Sequence, residues 1–373
     1  MKSYLMMLLS SFSMYSYAQN VGIGTNSPNS AALLHVELDT SLSKGFLVTG
    51  STYSSLATIP DLGAGPRMMF FPGKSAFRAG YVDGPQWNNI NAGALSVGLG
   101  YNVIASGLNS TAIGTTCSAS SGSATAIGNS AIASGGSSVA IGTSAYATGF
   151  AANAFGYLAT ASGTGANAFG YNTTANGSYS TAMGNFVSTS GYNGAFAIGD
   201  NSTTTVMQSF VDNGFRARFA GGYCLLTNSA ANIGVVLLAS GNSWSAISDV
   251  RMKENFIPVD GESILRKIAV MPLTTWNYKG QDVKTLRHYG PMAQDFYKAF
   301  AQDELGKIGC DTLINQQDFL GVSLVAIQAL EKRTTQLQEE NDELKKQNKE
   351  LAIIIEKMQQ QVNEIADSKD KKL

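Results

Sequence analysis

Residues 125–149 read TAIGNSAIASGGSSVAIGTSAYATG, and they contain most of two copies of one 14-residue unit. Upstream and downstream of this stretch, glycine recurs at the same spacing, and an apolar residue precedes each of these glycines. The glycines are Gly100, Gly114, Gly128, Gly142, Gly156, Gly170 and Gly184, followed by Gly199, which is displaced by one residue. A fixed period is typical of repeat proteins, in which each unit stacks on its neighbours.

Within one unit, apolar and polar residues alternate, which indicates short β-strands rather than helices. A second glycine series marks the half period: Gly107, Gly135, Gly149, Gly163, Gly177 and Gly191, with Gly122 one place late. Glycine permits the positive φ of tight corners. Alanine occupies the positions expected to point inward, namely Ala105, Ala119, Ala133, Ala147, Ala161 and Ala175. Residues 91–199 are therefore predicted to form a parallel β-roll or β-helix in a mostly β protein.

One such coil offers few inward side chains, mostly alanine with one larger residue, and this is too little apolar volume for a stable single-chain core. The larger residues precede the first glycine series: Leu99, Ile113, Ile127, Ile141, Phe155, Phe169, Met183 and Ile198. Burying this row among three chains favours a closed homotrimer. The alternative, a disordered Gly/Ser/Ala linker, does not explain an apolar residue kept at a fixed phase.

The repeated Ala-Ile-Gly and Ala-x-Ala-x-Gly elements of residues 94–199 resemble the head repeats of trimeric autotransporter (YadA-like) adhesins. The resemblance implies a trimeric left-handed parallel β-roll in an adhesin-like protein. On either side, residues 19–90 are predicted to be an irregular β-rich lead-in, and residues 200–247 a β transition segment. Candidate strands there are residues 206–210, 215–219 and 234–239.

The N-terminus indicates export. After Met1-Lys2, an apolar stretch leads to small residues ending at Ala18, the layout of a secretory signal peptide over residues 1–18. The alternative is a buried N-terminal helix or strand. After removal of this segment, no stretch is long and apolar enough to be expected to span a membrane. We therefore expect a secreted or cell-surface protein.

Charge divides the chain near Ser248. Residues 19–247 contain about six acidic and six basic side chains, whereas residues 248–373 contain about twenty and eighteen. Two differently built parts are implied. The formal net charge of -1 argues against a nucleic-acid-binding surface.

The charged part opens with Ser248-Asp249-Val250-Arg251-Met252-Lys253. A serine and a lysine at this spacing can form a dyad, in which a partly desolvated lysine loses its proton and acts as base for the hydroxyl. The ordinary alternative is an N-cap or turn. Spacing alone does not decide between them.

Residues 248–330 resemble the peptidase S74 family, the intramolecular chaperones at the C-termini of phage tailspikes and endosialidases. The resemblance rests on Ser-Asp-x-Arg-x-Lys, on Trp276-x-Tyr278, on Gly290-x-x-Ala-Gln and on a final helix. It implies that Ser248 and Lys253 perform a single-turnover autoproteolysis at a peptide bond flanking Ser248. It also implies that a small α+β domain, residues 248–322, assists trimerisation. Met252 departs from the aliphatic residue usual in the motif.

The end of the chain carries a heptad pattern over residues 323–366, which predicts a coiled coil before a charged tail at residues 367–373. One seam row is Leu330, Leu337, Leu344, Leu351, Met358 and Ile365, and the other is Ile327, Thr334, Asn341, Asn348, Ile355 and Val362. The two asparagines weaken the seam but fix its register. The pattern does not separate dimer from trimer.

Few side chains of this sequence are suited to binding a cofactor or a metal ion, and we predict neither kind of ligand. The chain has two histidines, His35 and His288, and its three cysteines lie far apart, which also argues against a disulfide framework. A phosphate loop at Pro72-Gly73-Lys74-Ser75 is disfavoured because Met68 stands where that motif needs glycine.

These patterns predict an exported trimeric fibre that releases its own C-terminal chaperone. Two alternatives remain open. One is a glycan-binding, tailspike-like protein that uses surface tyrosines; hydrolysis is disfavoured because residues 91–199 contain no Asp or Glu. The other is a fibre that keeps its C-terminal clasp uncut. A surface glycan or host receptor is thus a second candidate partner beside the chain itself.

Overall fold

A computed structural model describes residues 20–37, 47–50, 54 and 57–370. The predicted signal peptide and the end of the charged tail lie outside the described residues. The chain divides into two compact units, the first ending at Ile247 and the second beginning at Ser248. Each unit is described by itself.

The first unit consists of short strands. Before the repeats they are β1 (Val21–Ile23), β2 (Leu34–Val36), β3 (Gly65–Phe71) and β4 (Ala76–Val82). Through the repeats they are β5 (Val97–Tyr101), β6 (Ile104–Ala105), β7 (Thr111–Thr115), β8 (Ser118–Ala119), β9 (Thr125–Asn129), β10 (Ile132–Ala133), β11 (Val139–Thr143), β12 (Tyr146–Ala147), β13 (Asn153–Tyr157), β14 (Thr160–Ala161), β15 (Asn167–Ala175), β16 (Thr181–Ser188) and β17 (Phe196–Gly199). After them come β18 (Met207–Gln208), β19 (Phe215–Arg218), β20 (Gly222–Leu226), β21 (Gly234–Leu238) and β22 (Ser245–Ala246).

Strands one period apart pair in parallel and in register. In β9 and β11, for example, Ala126 lies opposite Ala140 and Ile127 opposite Ile141. From β5 to β14 each coil contributes one five-residue and one two-residue strand, whereas β15 and β16 each run through both positions. Strands β3 to β19 form one continuous 17-stranded sheet. The predicted roll of stacked parallel coils is confirmed.

The ladder is longer than residues 91–199. At its start β4 pairs in parallel with β5, and at its end β17 pairs in parallel with β19. In these outer pairs Phe77 lies opposite Val97, and Phe196 opposite Phe215, so the connections are longer than one repeat. The 14-residue period of the sequence does not extend to these outer strand pairs, although the coil itself does. The period therefore did not predict the first and last turns of the coil.

The interior of the roll is filled by alanine. The predicted inward alanines are fully buried, and so is the alanine between the two outward residues of each longer strand, such as Ala140. The larger residue of each coil, by contrast, lies on the outer face. Ile113, Ile127 and Ile141 are half-buried, while the alanine before each is inaccessible. The expectation of one larger inward residue per coil is therefore wrong, because the narrow coil has room only for methyl groups.

Glycine is needed for two different reasons. Gly142 has φ of 133°, a conformation that other residues rarely adopt. Gly135 does not have positive φ, but a Cβ built there would lie 1.9 Å from the carbonyl oxygen of Gly149 in the next coil. The left-handed corners are occupied instead by non-glycine residues such as Ser130 and Ser144, with φ of 54° and 51°. Gly135 and the glycines in register with it, Gly107, Gly149, Gly163 and Gly177, thus allow close stacking rather than tight corners.

A buried cation closes the N-terminal end of the roll. The Arg78 side chain is fully buried and donates to the carbonyl oxygen of Ser96 at 3.0 Å, to its Oγ at 2.8 Å and to Ala105 O at 3.1 Å. Burial lowers the pKa of Arg78 to about 10. Gly98 stands where later coils have alanine, and a Cβ there would lie 2.8 Å from Cδ of Arg78. The arginine therefore fills the space that an alanine fills elsewhere.

The turn at Pro72–Lys74 serves the same end of the roll. Lys74 is buried, and its Nζ donates to the carbonyl oxygens of Asn89 at 2.8 Å and Ala92 at 2.9 Å. Burial lowers the pKa of Lys74. Its ammonium group is directed at backbone carbonyls, which agrees with rejecting the phosphate-loop interpretation.

At the other end of the ladder, Arg218 pairs with Asp200 at 3.3 Å and donates to Thr205 O at 2.7 Å. The amide of Ala220 and the hydroxyl of Ser202 also bond to Asp200 and lower the pKa of this carboxyl to about 2. Charged side chains thus lie at both ends of a shaft that has none over residues 91–199. Strands β20, β21 and β22 follow as a small antiparallel sheet.

The second unit is α+β, as predicted. Its elements are a 3₁₀ turn (Val250–Met252), α1 (Gly261–Val270), β23 (Thr274–Trp276), β24 (His288–Gly290), α2 (Ala293–Phe300) and α3 (Gln316–Asp370). The three helices meet around Ile264, Phe296, Phe300 and Ala326. Helix α3 then continues alone, and seam residues such as Leu337 and Leu344 are each 58% exposed. The coiled coil itself stays a prediction.

Candidate active site

The site begins as a local turn in the first six residues of the second unit. The carboxylate of Asp249 accepts a hydrogen bond from the backbone N–H of Arg251 at 2.9 Å and so caps the 3₁₀ turn. The turn is completed by Met252 N–H donating to Asp249 O at 3.0 Å and Lys253 N–H donating to Val250 O at 3.2 Å. Short polar side chains such as aspartate favour this capping geometry.

The turn places the two predicted site residues in contact. Nζ of Lys253 donates to Oγ of Ser248 at 2.7 Å. Both this contact and the N-cap at Asp249 are present, so the two sequence interpretations of the motif are compatible rather than exclusive. A hydroxyl and an amine at hydrogen-bond distance have the geometry that nucleophile activation requires.

The charges around the turn are paired. Arg251 donates from Nε to both oxygens of Asp249, at 3.0 and 3.1 Å, and from a terminal nitrogen at 2.5 Å. This bond lowers the pKa of Asp249 and raises that of Arg251. The Ser248–Lys253 contact is exposed in the single chain. In general, a lysine acts as base only when its ammonium form is disfavoured, for example by desolvation.

The remaining motif residues build the body of the unit. Trp276 in β23 packs against His288 in β24 with ring centroids 4.7 Å apart, and against Tyr278 at 5.1 Å. Arg287 donates to Thr275 Oγ1 at 2.6 Å across the same hairpin. Ala293 begins α2, whose Phe296 and Phe300 are buried against α1 and α3.

Two apolar rows remain uncovered in the single chain. One is the half-buried outer row of the roll, where the rings of Phe155 and Phe169 stack at 5.3 Å. The other is the seam of α3, where Leu351 and Met358 are more than half exposed. Apolar surface of this extent marks an interaction site.

Within the described ranges, no group of three or more His, Cys, Asp or Glu residues is placed to hold a metal ion. The three cysteines are free, with Cys117 buried and Cys224 and Cys310 exposed. In the described part of the chain, no helix has the length and hydropathy of a membrane span.

Two family models match the chain. The model described as chaperone of endosialidase matches residues 248–305, and the model of the YadA head domain repeat matches residues 92–116, 119–145 and 161–186. No curated protein sequence matches. Both resemblances drawn from the motifs are confirmed at the expected positions. The two matches support a fibre-like protein with a chaperone domain, and YadA-like domains imply a surface or secreted protein.

Proposed function

We propose that this protein is an exported homotrimeric fibre whose C-terminal unit holds three chains in register and then cuts itself off through Ser248 and Lys253. One observation carries the proposal. The single chain leaves two apolar rows uncovered, one on the outer face of the roll and one along α3, and further copies of the same chain would bury both. The exposed residues Leu330, Leu337 and Leu344 form the start of the seam. An a/d seam of this kind is buried by other helices of the same type.

Assembly of the roll has a large entropic barrier. Three chain ends must meet before any contact forms between coils of different chains. The conformational entropy is therefore lost before favourable contacts compensate for it. Helices that associate early raise the effective concentration of the three rolls. This supports a chaperone role for the second unit, which the roll needs only while it folds.

In the proposed cleavage, Lys253 serves as the base and Ser248 as the nucleophile of a single reaction. Association of three chains removes water from the dyad, so that the Lys253 side chain gives up its own proton to solvent, and the neutral amine then takes the proton of the Ser248 hydroxyl. For the bond before Ser248, the hydroxyl oxygen attacks the carbonyl carbon of Ile247, and the C–N bond between Ile247 and Ser248 breaks as its nitrogen receives that proton. Water hydrolyses the resulting ester and regenerates the hydroxyl. Release of the second unit, which held the three chains in register, then leaves a shaft that is slow to unfold.

The chaperone role is tested by Leu344→Asp. A carboxylate buried in the seam costs several kcal/mol when it has no partner, so we expect at least a tenfold loss of assembled roll when the uncut Ser248→Ala chain is refolded from denaturant. The matched control is Lys346→Asp, which adds the same group where the native side chain is 68% exposed. Sedimentation velocity measures the yield. Equal yields from both variants would show that the seam plays no part in assembly.

A second candidate function is binding of a neutral glycan. The exposed rings of Tyr157 and Tyr171 stack at 5.1 Å, and residues 91–199 carry no charged side chain. Exposed aromatic faces pack well against flat apolar surfaces, including those of sugar rings. A glycan array with the wild type and with Tyr157→Ala/Tyr171→Ala tests this. Absence of wild-type binding excludes the candidate, whereas binding that the double variant loses supports it.

A further inference from the structure

We propose that Asp249 is the positioning residue of the dyad and acts on Ser248 and Lys253 by holding the turn between them. The proposal rests on the cleavage proposed above. Asp249 takes no part in the chemistry itself. Its task is to keep the lysine amine within reach of the hydroxyl until the chains have assembled.

The contacts of Asp249 span the whole turn. Its carboxylate binds the N–H of Arg251 at 2.9 Å and the Arg251 Nε at 3.0 Å, while its carbonyl accepts from Met252 N–H at 3.0 Å. The turn ends where the N–H of Lys253 donates a hydrogen bond to the carbonyl oxygen of Val250. One side chain therefore supports the start of the turn, and the backbone bonds that it enables direct Lys253 back toward Ser248.

Distance explains why the turn is needed. Five residues of extended chain span roughly 17 Å, which exceeds the reach of a lysine side chain. The observed separation of Lys253 Nζ and Ser248 Oγ is 2.7 Å. A single 3₁₀ turn is marginal by itself, because few hydrogen bonds compensate the order that it requires. Loss of its cap is thus expected to lower the population in which the dyad is formed.

The ionisation of Asp249 does not set the pH dependence of cleavage near neutrality. Its bonds to Arg251 lower its pKa below the usual value of 3.8. A depressed carboxyl pKa means that the interaction is present above the ordinary value and is lost only as pH falls below it. Removing the cap should therefore reduce the cleavage rate by the same factor throughout the neutral and mildly alkaline range.

The experiment compares cleavage rates of the full chain carrying Asp249→Ala, Asp249→Asn or Asp260→Ala. Asparagine caps as well as aspartate, and cap loss costs typically about 1 kcal/mol, so we expect a roughly five- to tenfold slower Ala variant and a near wild-type Asn variant. Asp260 is the matched control: it caps α1 by accepting from Glu262 N–H at 3.0 Å and pairs with Arg266 at 3.9 Å. Its alanine variant should cleave at the wild-type rate.

Three outcomes would overturn the proposal: Asp249→Ala cleaving as fast as wild type, Asp249→Asn as slow as Asp249→Ala, or Asp260→Ala equally slow. The second would assign the effect to charge, and the third to general stability. Amide hydrogen exchange at Met252 and Lys253 is measured on the same samples. If the wild type is not cleaved, the proposed function fails, and exchange alone decides whether Asp249 holds the turn: protection unchanged in Asp249→Ala contradicts it.

Discussion

Ser248→Ala is expected to leave every chain at full length on a denaturing gel, whereas the wild type yields two fragments that meet at residue 248. Without the hydroxyl no ester forms, and loss of a nucleophile of this kind lowers rates by roughly 10⁴-fold or more. Lys253→Met is expected to behave in the same way because the base is lost. Mass spectrometry of the fragments identifies which bond flanking Ser248 is cut.

The matched control is Ser245→Ala, which removes an exposed hydroxyl three residues upstream in β22. It should be cut at the wild-type rate. Cleavage of Ser248→Ala at that rate would exclude the dyad. A wild type that assembles and stays uncut would instead favour the alternative in which the C-terminal unit is a permanent clasp.

Gly135→Ala is expected to destabilise the roll by about 3 kcal/mol or more per chain, because its Cβ has no space. That atom would lie 1.9 Å from Gly149 O, 2.5 Å from Gly149 C and 3.0 Å from Thr148 O, all of them backbone atoms that cannot rotate away. Overpacking of this severity costs more than the usual core insertion. In a trimer the penalty occurs three times.

Gly122→Ala is the control for this substitution. Gly122 lies one residue out of register with Gly135, in the place that Gly136 takes in the next coil, and a Cβ there meets nothing within 4 Å. Its φ is not positive either, so alanine should be neutral or stabilise by a few tenths of a kcal/mol through the unfolded state. Circular dichroism melts at one scan rate compare the two variants. Equal melting temperatures would contradict the close stacking of coils.

The period of the sequence was enough to predict the coil and its register, because every rung repeats the same small residues at the same phase. It also identified inward alanines such as Ala133, but it placed the larger residue of each coil inside as well. Alternation separates two faces of a strand, but only packing decides that the coil accepts Ala140 and excludes Ile141. The period did not locate the end closures either, since Arg78 and Arg218 lie outside the period and bond to backbone carbonyls that no local pattern specifies.

At the site, spacing alone left a dyad and a turn as alternatives. The structure contains the turn capped by Asp249 and a hydrogen bond from Lys253 to Ser248. The contact of a cap with the rest of a turn depends on three-dimensional distances. The sequence pattern therefore named the two candidate residues but not the side chain that caps the turn between them.

We expect the roll to fold only as part of a trimer, since alanine methyl groups inside one narrow coil bury little apolar area and the larger side chains lie outside. Sedimentation equilibrium of the Ser248→Ala chain without residues 1–18, which is expected to stay uncut, tests this. We expect a single species with three times the chain mass and β-rich circular dichroism. A folded, β-rich species with the mass of one chain would contradict it.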